Sequence, residues 1–112
     1  MGNTSLRLRP GLEEVTFDKD GYPTEETLDR IAKCESIEDT LQLMVESWDM
    51  VYGSYDIKKD GRHTFATGGW SGNESVMGAA MRNFVFWSWT WVSSHRGGKY
   101  QFKMDIPCKE EK

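Results

Sequence analysis

The sequence predicts an α+β fold: a single domain whose four-stranded antiparallel sheet is packed by about three helices, in the order α-α-β-β-α-β-β. Three observations lead there. The first fifty residues hold two capped, amphipathic helical segments. The second half holds two glycine-centred hairpin turns, and a further helical segment separates them. Two hairpins separated by a helix naturally build one antiparallel sheet with helices on one face. At 112 residues the chain fits one domain, large enough to bury a core without disulfides or metals. No internal repeat or low-complexity segment interrupts it. The expected organisation is an N-terminal arm over 1–22, an α+β domain over 23–106 and a charged tail over 107–112.

The arm lacks sustained periodicity, with a short strand expected around Glu14–Phe17. In Pro23-Thr24-Glu25-Glu26, Thr24 can accept from an exposed amide while the glutamates complement the positive end of a helix. Leu28, Ile31 and Ala32 follow at helical spacing. Ser36-Ile37-Glu38-Asp39 opens a second helix the same way. Its apolar stripe is Ile37, Leu41, Met44, Val45 and Trp48, which marks Trp48 as core. From Tyr55 and Ile57 the period changes to two. Lys59-Asp60-Gly61-Arg62 then reads as a hairpin turn, and His63 to Ala66 as the returning strand.

Gly68 and Gly69 end that strand. Ser71-Gly72-Asn73-Glu74 has the form of a capping box, in which Ser71 accepts from the Glu74 amide. The helix it opens places Val76, Met77, Ala80 and Met81 on one side. Phe84 to Ser94 fits either period. Trp87 and Trp91 suit a helix, but Trp87, Trp89 and Trp91 alternating with Ser88 and Thr90 suit a strand better, and so does the aromatic content. The tryptophan row is then expected to be core. Arg96-Gly97-Gly98-Lys99 turns the chain into a last strand through Tyr100, Phe102 and Met104.

Composition narrows the function classes. Hydrophobic residues at 38% and charged residues at 29% are ordinary for a globular chain, and no apolar run is long enough for a membrane span. Met1 to Pro10 has no signal-peptide core, and MGNTSL puts Leu6 where a myristoylation signal wants Ser or Thr. A cytoplasmic protein with no membrane partner is expected. Cys34 and Cys108 lack a CxxC spacing and are expected as free thiols. Residues 1–50 carry twelve acids against five bases, and residues 51–112 six acids against nine bases. An acidic first half suits a basic partner protein, whereas net acidity disfavours non-specific DNA binding by the whole chain.

Catalytic and metal motifs are not found. Aligning a calcium loop on Gly21 puts Thr16 and Thr27 where acidic ligands are required, so Phe17–Gly21 reads as a turn before a helix. His63 and His95 have no ligand-spaced neighbours. Ser71 with His95 lacks a nucleophile-elbow context. No enzyme, metal or cofactor is expected. The candidate ligand site is the pair of glycine loops. Gly69, Trp70, Ser71, Gly72 and Asn73 lead into a helix start that favours an anion, Arg96 in the second loop suits phosphate or carboxylate, and Trp70 suits stacking on a base. The competing structural reading is that the glycines serve turns and Ser71 serves a cap.

The string GGWSGNE, a helix, and then FW…W…SS.RGG.Y.F resembles a family of small uncharacterised proteins encoded by bacteriophages and prophages. The matching residues are Gly68 to Glu74, Phe86, Trp87, Trp91, Ser93, Ser94, Arg96, Gly97, Gly98, Tyr100 and Phe102. The resemblance covers the last half of the chain and brings no catalytic residues with it. It implies an accessory protein acting inside a bacterium. Two readings follow. The first is a non-enzymatic binder or inhibitor of a host protein, such as a defence system or another host machine, with Glu38 and Asp39 facing the partner. The alternative is a nucleotide or nucleic-acid phosphate binder that uses the glycine loops.

Overall fold

A computed structural model describes residues 14–103. The expected tail over 107–112, Cys108, Met104 and the first thirteen residues of the arm lie outside it. Eight elements follow the chain: α1 (Glu25–Lys33), α2 (Ile37–Ser47), β1 (Ser54–Ile57), β2 (Arg62–Ala66), α3 (Ser71–Arg82), α4 (Phe84–Thr90), β3 (Trp91–His95) and β4 (Lys99–Lys103). The α+β class and the four-stranded antiparallel sheet are as the sequence predicts. The sheet order is β1-β2-β4-β3, so each hairpin contributes one central strand and one edge strand.

The first two helices start where their caps say they should. The Thr24 hydroxyl accepts from the Thr27 amide and the Ser36 hydroxyl from the Asp39 amide, each satisfying an amide that the helix leaves unpaired. Asp18 closes the preceding turn by accepting from the amides of Asp20 and Tyr22. The expected strand at Glu14–Phe17 reduces to one bridge, Phe17 to Pro23. Thr16 is instead tied to α1, its amide donating to the Thr27 hydroxyl over 2.9 Å.

The tryptophan-rich segment differs from expectation. Phe84–Thr90 is a fourth helix, and the strand begins only at Trp91. The cause lies one residue upstream. The Asn83 side chain accepts from the Phe86 amide and donates to the carbonyls of Ile31 (2.8 Å) and Cys34 (2.9 Å). One buried amide thus starts a helix and joins it to the end of α1. The helical period then buries Phe86 and Thr90, four residues apart, and Trp87 stacks on Trp91 with centroids 6.2 Å apart. The alternation of Trp87, Trp89 and Trp91 is therefore not a strand face.

The core lies between the helices and one face of the sheet. Ile31, Leu41, Leu43, Met44, Trp48, Phe65, Val76, Met77, Ala79, Ala80, Phe86 and Phe102 are buried. Each large apolar side chain so buried contributes about 1.5–3 kcal/mol. Trp48, at the end of α2, meets Phe65 edge-on at 4.8 Å and donates its indole N–H to the Ala66 carbonyl. Two apolar residues of the periodic segments are outside it: Met81 is 46% exposed and Ile57 52%. Tyr55 packs against the same core from β1 and bonds His63 Nδ1 over 2.7 Å; burial pushes its phenol up to about 12.

Candidate functional site

The two glycine loops meet. The Thr67 amide, ahead of Gly68 and Gly69, donates to the Gly98 carbonyl over 2.9 Å. Gly98 has φ +83°, and a β-carbon there would collide with the Thr67 hydroxyl, so only glycine lets the loops approach this closely. The contact also brings Arg96, in the turn beside Gly97, to the same end of the sheet as Gly69 and Trp70. The Arg96 side chain is exposed.

Most of the remaining polarity there is turned inward. Asn73 is fully buried. Its side-chain oxygen accepts from the Asp49 amide at 2.8 Å, and its NH2 donates to the carbonyls of Asp49 and Thr67 at 3.1 and 3.2 Å. Asn73 thereby fastens the loop after α2 to the glycine loop. Trp70 lies 5.6 Å from Tyr52 in a stack and 5.0 Å from Tyr22, and its indole folds over Gly72, where a β-carbon would strike it.

The capping box is not formed. Ser71 is the first residue of α3, Trp70 holds the extended cap position, and the Glu74 amide donates to the Trp70 carbonyl. The Ser71 hydroxyl donates to the Tyr22 phenol at 3.2 Å. A serine already in helical conformation points away from the amides that a cap must reach, so α3 starts without a side-chain cap.

Comparison of the chain with protein-family models, with curated proteins and with solved structures finds no match.

Of the two acids assigned to a partner, Glu38 is exposed, whereas Asp39 is only 6% exposed and belongs to the packed side of α2. A different acidic group is assembled instead. Glu25, Glu26 and Asp29 of α1 line a shallow cleft of about 580 Å³ with Leu28 and Arg82, the last residue of α3.

Beyond Arg82 the surface becomes apolar. Phe84 is 79% exposed, Trp89 72%, Val85 47%, Trp91 44% and Val92 41%. On α4 the buried residues Phe86 and Thr90 occupy one side, and Phe84, Val85 and Trp89 project from the other. No charged side chain occurs between Asn83 and Ser94. This patch was hidden in the sequence because the strand reading turned its tryptophans inward. The signal that could have revealed it was the uncharged run itself, too apolar for a seven-residue helix with only one side to bury.

Proposed function

We propose that the protein is a non-enzymatic protein-binding module that docks a partner on the α4–β3 face. In the setting that the phage resemblance implies, the partner is a bacterial host protein. The observation that carries this reading is the exposure of Phe84, Val85, Trp89, Trp91 and Val92 within a run of the chain that carries no charged side chain. Together they offer on the order of 500 Å² of apolar surface, taking ~150–250 Å² for each aromatic side chain. A stable complex takes ~800 Å² from each side, so these side chains supply a large share of what one side needs. Exposed tryptophan and phenylalanine are the residue types that dominate binding energy at such surfaces.

The acidic cleft specifies the partner further. Glu25, Glu26 and Asp29 line it together with Arg82, which stands two residues before Phe84 in the chain. A partner with an apolar groove flanked by lysine or arginine fits both features, the groove supplying affinity and the basic flank orientation and association speed.

The test is native mass spectrometry of protein recovered from a bacterial host, comparing wild type with Phe84→Ser/Trp89→Ser. The expected result is a stoichiometric heteromeric complex that the double variant loses while keeping its fold. A homodimer dispersed by the same variant would overturn the host-partner reading. Capture that the variant leaves unchanged would overturn the docking face.

A further inference from the structure

The two faces of the sheet are unlike. Phe65 and Phe102 point into the core, so the two-residue alternation of the strands sends Thr64 and Gln101 to the opposite, outer face. Strand register lays that face out as a grid. Asp56, Thr64, Gln101 and Ser93 form a row across all four strands. The next row on one side is Ser54, Ala66, Lys99 and His95, and on the other side Arg62 stands opposite Lys103. Successive rows are ~7 Å apart, two residues of strand rise.

Hydrogen bonds within this grid use the Gln101 side-chain oxygen and leave its NH2 group and the Thr64 hydroxyl. The Gln101 side-chain oxygen accepts from the Ser93 hydroxyl at 2.9 Å and from Arg62 Nη1 at 3.1 Å. With its hydrogen committed to Gln101, Ser93 Oγ is left to accept from His95 Nε2 at 3.0 Å. The amide orientation of Gln101 is fixed by this arrangement, because a guanidinium can only donate. Its NH2 group is the side that remains. Beside it Thr64 is 6% exposed, and its hydroxyl has no hydrogen-bond partner. A buried hydroxyl in that condition is rare in native proteins and is explained when a ligand completes it.

The charge around these donors is cationic. Arg62, Lys99 and Lys103 surround the central row. Two nearby carboxylates among the described residues are already matched: Asp56 pairs with Lys58 at 2.9 Å and Asp60 with Arg62 at 2.8 Å. Backbone and side-chain N–H groups of Arg62 hold the Asp60 carboxyl below its ordinary range. A group rich in acceptor oxygens and negative charge can take both the Thr64 hydroxyl hydrogen and the Gln101 NH2 group, and the net charge around them favours it over a cation.

We propose that the outer face of the sheet binds a phosphate-type oxyanion seated over Thr64 and Gln101, with Arg62, Lys99 and Lys103 supplying the charge. This site lies on a different surface from the α4–β3 docking face and is independent of it. It also differs from the glycine loops, where the buried amide of Asn73 is already committed to backbone partners. The oxyanion belongs either to a phosphomonoester, as in a mononucleotide, or to the phosphodiester backbone of a nucleic acid.

The experiment is an NMR titration of the full chain with inorganic phosphate, with adenosine monophosphate and with a short oligothymidylate. Saturable shifts are expected at Thr64, Ser93, His95 and the Gln101 side-chain amide with at least one of these probes. Thr64→Val is expected to weaken that binding at least tenfold without lowering the unfolding midpoint, because the hydroxyl it removes makes no internal bond. Lys99→Gln/Lys103→Gln, which changes only exposed side chains, is expected to weaken it and to flatten its salt dependence. Tightest binding of the monophosphate assigns the ligand as a monoester. Tightest binding of the oligonucleotide, falling steeply with salt, assigns it as a phosphodiester chain. The proposal is overturned if no probe gives saturable shifts at these residues, or if both variants bind as wild type does.

Discussion

Trp70 and Trp89 stand in two regions that look alike in sequence and differ in what their side chains are free to do. Around Trp70 the glycine loops, a helix start and an arginine suggest a binding site. There the indole stacks on Tyr52 and covers Gly72, Asn73 is spent on three backbone partners, and Ser71 bonds Tyr22. Around Trp89 an alternating aromatic run suggests core, yet Trp89 and Phe84 are among the most exposed large apolar side chains described. Motif density is therefore a poor guide to availability. What decides it is whether each polar group and each ring face is already matched within the fold.

Substitutions separate the two regions, and the largest effect belongs to Asn73. Asn73→Ala removes three hydrogen bonds and leaves the Asp49 amide without its acceptor, while the Thr67 and Asp49 carbonyls keep the amides of Trp70 and Gly53. About 3 kcal/mol of stability should be lost, read from the midpoint of chemical denaturation at unchanged slope. Trp70→Ala should cost about 2 kcal/mol, since the ring is half-buried and its removal frees both tyrosines. Trp89→Ala should change stability by less than about 0.5 kcal/mol, the range of ordinary surface positions. The contrast fails if Trp89→Ala destabilises as much as Trp70→Ala.

Much of the fold was legible because its signals are local. The Thr24 and Ser36 caps, the stripe of α2 and the two glycine turns each depend on residues within four positions of one another, and each forms as read. The failures are non-local. Asn83 starts α4 because its amide reaches the Ile31 and Cys34 carbonyls, some fifty residues away in sequence, and no local period encodes that. Ser71 matches a capping box in spacing, but Trp70 takes the cap position once its ring settles over Gly72. Asp39 looked like a surface acid beside Glu38, although the helical rotation between adjacent residues takes it to the packed side of α2.

The outer sheet face was illegible for a similar reason. Thr64, Ser93 and Gln101 are unremarkable in sequence, and become a row only when β4 inserts between β2 and β3. Glycine loops announce themselves in one dimension, whereas a cross-strand row exists only after pairing.

Hydroxyl-radical footprinting of the free protein and of its complex, read at Trp89, Phe84 and Trp70, tests the docking face most directly. The account predicts strong oxidation of Trp89 and Phe84 in the free protein and protection of both in the complex, with Trp70 little changed. Protection confined to Trp70, with Trp89 and Phe84 as reactive as before, would contradict it.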